Sequence, residues 1–291
     1  MTRQLALTSL LLALAAASSF TSAHAQPASP APAIAVAPDG VTQELRLRDG
    51  TTVVGRITAV DGGQVTFVTR GGATLTVAVA DVVAVTSVGG RDTGRGFWKD
   101  DPNPTRLFFG PTGRPLAKGA VYLGVYEVVM PFVQVGITDR LSVGGGTPLV
   151  FFGSGDRPYW FTPKYTLVAR ERTQVAVGAM HMLNLDDESV GIAYGAVTRG
   201  SRDSAVTVGV GVAYERFEDA SPPVVMLGAE HRVRRNLKLM TENYLFDQGG
   251  LVSAGVRFLT GRLSADLALA APVGVDDLVV FPMVNFVWTF Q

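Results

Sequence analysis

From Gly119 to Phe290 the chain repeats one pattern: about ten residues in which apolar positions alternate with small or polar ones, then a short turn. The plainest copy runs from Ser204 to Glu215. Val206, Val208, Val210, Val212 and Tyr214 share one parity, and Ala205, Thr207, Gly209, Gly211, Ala213 and Glu215 share the other. Side chains alternate sides along a strand, so each copy is a strand that is apolar on one face only. The pattern predicts twelve strands, at about 119–128, 131–138, 141–151, 159–169, 173–183, 189–198, 204–215, 223–233, 236–246, 250–259, 262–271 and 279–290. Met130-Pro131 leaves open whether the first two are one kinked strand. An even number of antiparallel strands suits a single-chain bacterial membrane barrel. The expected fold class is all-β: a C-terminal antiparallel up-and-down β-barrel of about 12 strands behind a small SH3/Sm-like β domain.

The turns alternate in charge. Asp139-Arg140, Arg170-Glu-Arg172, Arg199-Gly-Ser-Arg202, Arg234-Arg-Asn236 and Gly261-Arg262 form a basic set. Gly153-Ser-Gly-Asp156, Asp186-Asp-Glu188, Glu218-Asp219, Asp247-Gln-Gly-Gly250 and Asp276-Asp277 form an acidic one. A barrel spanning an outer membrane gives this sorting a cause, with the basic turns facing the periplasm. Strand parity places Lys164, Glu215, Glu230, Arg232, Lys238, Glu242, Arg257 and Asp266 opposite the apolar face, as lumen-lining residues. A basic side chain facing lipid at mid-membrane would cost about 2–4 kcal/mol, so inward placement is coherent. Four of the eight are basic and four acidic. That balance favours an internally salt-bridged lumen over a pore lined by one sign of charge. In the last strand Phe286, Trp288 and Phe290 share a face, an aromatic ending that looks like the signal read by barrel-assembly machinery, with Gln291 following as a departure.

The N-terminal part divides by composition. Residues 1–25 read as a signal peptide, with Arg3, an apolar run over 5–17, and Ala23-His-Ala25 as the cleavage site. Residues 26–41 are a Pro/Ala-rich stretch, expected as an unpacked linker. Residues 42–88 carry short apolar runs separated by Asp49-Gly50, Asp61-Gly-Gly63 and Gly71-Gly72, a hairpin signature that predicts a small β-barrel-like module of about five strands. Residues 89–118 form a connecting segment rich in aromatics, Pro and Gly. It is too apolar for a free linker and is expected either to plug the periplasmic mouth of a barrel over 119–291 or to serve as a tether.

Composition narrows the chemistry. Lys+Arg and Asp+Glu both number 25, which gives no electrostatic case for nucleic acid. Cysteine is absent, which removes disulfides and thiolate chemistry. His181 and His231 share their parity with outward residues, an interfacial placement that disfavours a Ser-His-Asp hydrolase. No Gly-rich phosphate loop stands between a strand and a helix. No catalytic residue, cofactor site or dedicated metal site is therefore assigned, and the protein is read as a non-enzyme. The acidic loops, Asp186-Asp187-Glu188 above all, are expected to associate with divalent cations only weakly.

Several phrases carry a resemblance: Phe97-Trp98, Asp101-Pro-Asn-Pro-Thr-Arg-Leu-Phe-Phe-Gly-Pro-Thr-Gly113, Gly136-Ile-Thr-Asp139, Gly191-Ile-Ala-Tyr-Gly195, Gly200-Ser-Arg-Asp203 and Thr241-Glu-Asn-Tyr-Leu245. With them the chain resembles an uncharacterised group of secreted, outer-membrane barrel-like β proteins of Bacteroidetes-like bacteria. The resemblance implies location and architecture and brings no activity. The functional expectation is an outer-membrane barrel in contact with outer-membrane lipid, structural or a narrow pore, with its β module in the periplasm. The alternatives are a soluble secreted β-sheet binding protein, whose apolar faces would pack on each other, and an outer-membrane hydrolase.

Overall fold

A computed structural model describes residues 34–94, 96–150, 157–185, 188–215, 219–247, 249–274 and 279–290. Residues 1–25, expected as a signal peptide, and most acidic-loop residues, including Asp186, Asp187, Glu218, Asp276 and Asp277, lie outside them.

The N-terminal module is a five-stranded antiparallel sheet of β1 (Gln43–Leu47), β2 (Thr52–Asp61), β3 (Gln64–Thr69), β4 (Thr74–Ala78) and β5 (Val82–Ser87). Its spatial order is β4-β3-β2-β1-β5. Gly62 and Gly63, with φ of 55° and 76°, form the two-residue turn that joins β2 to β3. Positive φ at both positions matches the right-handed twist of the flanking strands, which is why an Asp-Gly-Gly sequence stands there. Leu45, Ile57, Val65, Phe67 and Val82 form the core. The preceding stretch is not free where it is described: Ile34 packs against this core, and the Ala37 amide donates to the Ile57 carbonyl at 3.3 Å. The expectation of an unpacked linker fails there because Ile34 is an apolar anchor among the Pro and Ala residues.

A short hairpin, β6 (Gly90–Thr93) and β7 (Gly96–Lys99), leads to the barrel. The barrel strands are β8 (Val121–Tyr126), β9 (Met130–Gly136), β10 (Leu141–Gly146), β11 (Tyr159–Phe161), β12 (Lys164–Arg170), β13 (Thr173–Leu185), β14 (Glu188–Gly200), β15 (Ser204–Glu215), β16 (Asp219–Arg234), β17 (Leu237–Phe246), β18 (Gly249–Thr260), β19 (Leu263–Val273) and β20 (Phe281–Phe290). β11 and β12 are two halves of the strand predicted at 159–169, interrupted at Thr162-Pro163, where Pro163 has no amide for the ladder. Each half pairs with both β10 and β13, so the barrel has twelve staves. β20 pairs with β8 (Phe290 opposite Val121), β8 with β9, and β9 with β10, which closes the ring. The first two strands are separate, because Glu127 and Val128 turn the chain with φ of 48° and 64°.

Closure fixes the two faces. Along β15 Ala205, Thr207 and Gly209 are buried while Val206, Val208 and Val210 are exposed. The outward face continues around the ring through Val177, Val197, Leu227, Leu239, Val252 and Leu267, all exposed and with no second sheet over them among the described residues. Phe258, Trp288 and Phe290 are outward aromatics near the basic turns, and Tyr159 and Phe161 lie toward the other end. His231 is exposed on the outer side at the basic end, with its Nδ1 against Ser204 Oγ at 2.5 Å. His181 stacks on Tyr214 with ring centroids 5.9 Å apart.

Candidate functional site

The lumen is occupied by the chain itself. After β7 the segment enters from the basic-turn end, where Arg202 pairs with Asp100 at 3.0 Å and Arg91 pairs with Asp203. It then folds back as a hairpin. Arg106 bridges to Pro111, the Leu107 amide donates to the Gly110 carbonyl at 2.8 Å, and the Thr112 amide donates to the Thr105 carbonyl at 3.0 Å. Its tip carries Leu107 and Phe108, which are 0% and 1% exposed. They pack with Met226, Met240, Ala268 and Met283 from the inner wall. A Cβ on Gly228 would collide with Leu107 Cδ1, and one on Gly113 with the backbone of Gln174. Glycine at these two points lets the hairpin approach the wall. The proline-rich sequence keeps the segment from joining the sheet, and its apolar tip is buried against the methionine-lined inner wall.

Lumen charges tie the hairpin to the wall. Arg257, fully buried, donates to Asp266 at 2.7 and 2.9 Å and to the carbonyls of Asn103 (2.6 Å), Leu107 (2.7 Å) and Arg106 (3.3 Å). Lys238 binds Asp101 at 2.5 Å and Glu230 at 2.9 Å, and Glu230 also pairs with Arg114. Glu242 accepts from the amides of Phe109 (3.1 Å) and Gly110 (3.1 Å) and from the Tyr244 hydroxyl (2.7 Å). Lys164 donates to the carbonyls of Arg114 (2.9 Å), Thr105 (3.1 Å) and Thr112 (3.3 Å). Arg232 donates to the Lys99 carbonyl at 2.6 Å and lies 5.1 Å from the Trp98 ring centroid. Burial alone would raise the Asp101 carboxyl, but Lys238 and then Arg257 outweigh it and hold it well below the usual carboxylate range.

Of the eight residues that parity placed inside, Lys164, Glu230, Arg232, Lys238, Glu242, Arg257 and Asp266 are buried within the barrel. Glu215 belongs to β15, and its side chain lies outside the described residues. Phe286, Trp288 and Phe290 project outward from β20, which seals the ring against β8. Sequence reasoning missed the partners on the hairpin and beside it: Asp101, Arg106, Arg114 and the backbone around them. The one signal for them was the apolar Leu-Phe-Phe run between prolines in a segment otherwise shaped like a linker.

A closed antiparallel ring, apolar outside and charged within, cannot be a sandwich or an open sheet. All backbone groups of a ring pair within the sheet, as a span through hydrocarbon requires. The chain is an outer-membrane-type β-barrel protein. The alternative of a soluble sheet with its apolar faces packed on each other is corrected, since the apolar faces point away from the lumen.

No protein-family model matches the chain, and no curated protein matches it. Solved structures similar to it include KdgM porin, at 6% identity and a TM-score of 0.46 over 59% of this chain and 98% of that one. OmpT, an outer membrane protein of Vibrio cholerae, is similar at 12% identity and a TM-score of 0.33 over 86% of this chain and 95% of that one. A mutant of Rh. blastica porin is similar at 11% identity and a TM-score of 0.33 over 86% and 98%. The barrel assignment rests on this chain's own strand closure and faces.

Proposed function

We propose that the protein is a self-plugged outer-membrane barrel, non-conducting at rest, that anchors its β module in the periplasm. The observation carrying this reading is the hairpin at 103–113, whose apolar tip is buried among the inner-wall methionines. The basic turns lie at the end from which the hairpin and the module project, and basic turns suit an anionic phospholipid leaflet. A cleaved signal over 1–25 would deliver the chain across the inner membrane, and the ending Phe286, Trp288, Phe290 would be read by the barrel-assembly machinery. The module's β1–β4 meander, with a 3-10 turn (Val79–Asp81) before a β5 that returns to pair with β1, supports an SH3/Sm-like classification. The protein acts on no substrate in this reading. The acidic loops meet divalent cations only as surface counterions.

Planar-bilayer recording of refolded residues 26–291 tests the reading. The intact protein is expected to be silent, and a variant with 103–113 replaced by a short Gly-Ser linker is expected to show conductance steps. Steps of similar size from both proteins would refute the self-plugged state and leave a narrow pore.

A further inference from the structure

The hairpin does not fill the lumen completely. In the half away from the module a cavity of about 90 Å³ remains, walled by Arg106, Lys164, Tyr126, Phe132, Trp160 and Tyr194. Its two basic side chains have no carboxylate partner among the described residues. All the hydrogen bonds of Lys164 go to neutral carbonyls. Arg106 donates through Nη2 to the Tyr122 hydroxyl at 2.8 Å and to Gln134 Oε1 at 3.2 Å, and through Nε to the same hydroxyl at 3.2 Å. Its Nη1 makes no hydrogen bond among the described residues. Its guanidinium carbon lies 4.5 Å from the Phe132 ring centroid, and Phe132 stacks on Tyr126 at 4.3 Å.

Lys164 is buried and Arg106 half-buried; charge taken out of water is costly unless paired, and two basic side chains on one cavity wall disfavour each other's charged form. Aromatic faces and neutral carbonyls offset part of that cost without supplying a counter-charge. We propose that this cavity binds a small aliphatic carboxylate. Its carboxylate would accept from the Nη1 N–H groups of Arg106, the donors left over once Nε and Nη2 are bound to Tyr122 and Gln134, in a charge-assisted contact. Its short alkyl tail would lie against Phe132, Tyr126 and Trp160. Size sets the class: a cavity of ~150 Å³ is what benzene occupies, so the space here suits an acetate- or propionate-sized ion rather than an aromatic acid. A divalent cation is excluded by the Arg106 charge, and a neutral apolar molecule leaves that charge unpaired. This inference concerns the plugged state but does not depend on whether the barrel conducts.

Three tryptophans are present, so Trp98→Phe with Trp288→Phe leaves Trp160 as the sole emitter, on the cavity wall. The full mature protein carrying these changes, refolded in detergent, is titrated with sodium acetate against sodium chloride at constant ionic strength. A saturable change in Trp160 emission with acetate is expected, tighter with propionate than with formate and not reproduced by chloride. Arg106→Gln is expected to weaken it about tenfold or more, the loss of one charge-assisted contact. A non-saturating response, an equal response to chloride, or unchanged binding in Arg106→Gln overturns the proposal. Where Arg106→Gln does not fold, shown by loss of heat-modifiable migration, Arg106→Lys keeps the charge and loses the Nη1 donors. Unchanged acetate binding in Arg106→Lys then overturns it as well.

Discussion

Arg257→Met is the sharpest test of how the hairpin is held. Arg257 is 0% exposed and holds the Asp266 carboxylate on β19 and three hairpin carbonyls, with Asp101 at 3.5 Å. Removing one member of a buried pair costs about 3–5 kcal/mol, because the other charge is left unpaired. Bonds from a charged donor are worth about 1.5–3 kcal/mol each, so the three carbonyls lose ~3 kcal/mol even if only part of that is realised. At 1.4 kcal/mol per decade this shifts the plug-in/plug-out balance about a hundredfold toward release. Asp266→Asn is the control, since it breaks the pair and leaves Arg257 on the hairpin. Trypsin reads the outcome: Arg114 precedes Pro115 and is not a trypsin site, whereas the Arg106–Leu107 bond lies on the hairpin and is shielded when it is seated. Arg257→Met is expected to be cut there and to conduct in bilayers, while Asp266→Asn loses barrel stability but keeps the hairpin protected. Full protection and silence in Arg257→Met, with the variant folded, would refute the assignment. Equal release in both variants would show that the pair, not the carbonyl contacts, holds the hairpin.

Other outcomes follow from single contacts. Gly228→Leu places a side chain where Leu107 sits and is expected to expel the hairpin tip, giving conductance in a barrel of unchanged heat-modifiability. Leu267→Lys puts a charge on an outward position that is 52% exposed, and should cost about 2–4 kcal/mol in lipid vesicles by urea unfolding; a change under about 0.5 kcal/mol, the range of an ordinary surface substitution, would mean no lipid covers that face. The folded-state pKa of Asp101 is lowered, so its stabilisation is present above the unfolded value of about 3.9 and is lost only as pH falls through the lower folded value. Bilayers at pH 4 should therefore stay silent, whereas Asp101→Asn should conduct at neutral pH. Phe290→Ala is expected to slow insertion in cells without lowering the stability of barrels already folded, as followed by pulse-chase of the heat-modifiable band.

The barrel was legible because its signal is periodic and local. Alternation along 204–215 or 262–271 states both strand and face, and turns such as Arg234-Arg-Asn236 mark where each strand ends. The failures are where the third dimension decides. The break at Thr162-Pro163 looked like the middle of a strand, because a proline tolerated between two half-strands reads the same as one on an edge. Parity placed the inward charges but could not pair them: Arg257 and Asp266 are neighbours across β18 and β19, yet the other partners of Arg257 lie more than 140 residues away in sequence. Residues 103–113 have no period at all. Their structure is imposed by the cavity they enter, and only their apolar content hinted that they enter one.

The contacts divide into those that position the hairpin and those that retain it. A withdrawn hairpin leaves a water-filled lumen, so Lys164, Glu242 and the freed backbone groups would be rehydrated. The net worth of each neutral hydrogen bond is then only about 0.5–1.5 kcal/mol. Leu107 and Phe108 have no such compensation, since leaving the methionine layer exposes two whole apolar side chains at about 1.5–3 kcal/mol each. Polar contacts such as Thr289 Oγ1 to the Pro102 carbonyl at 2.8 Å, or Asn285 Nδ2 to the Phe108 carbonyl at 3.1 Å, fix the register. The apolar tip supplies much of the retention and does so without dependence on ionic strength. Salt distinguishes the two: the Debye length falls from about 10 Å at 0.1 M to about 3 Å at 1 M. The intact protein is expected to stay silent across that range, and Phe108→Ser is expected to conduct at both ends of it. Opening of the intact protein by salt alone, with Phe108→Ser still silent at 0.1 M, would assign retention to the ion pairs instead.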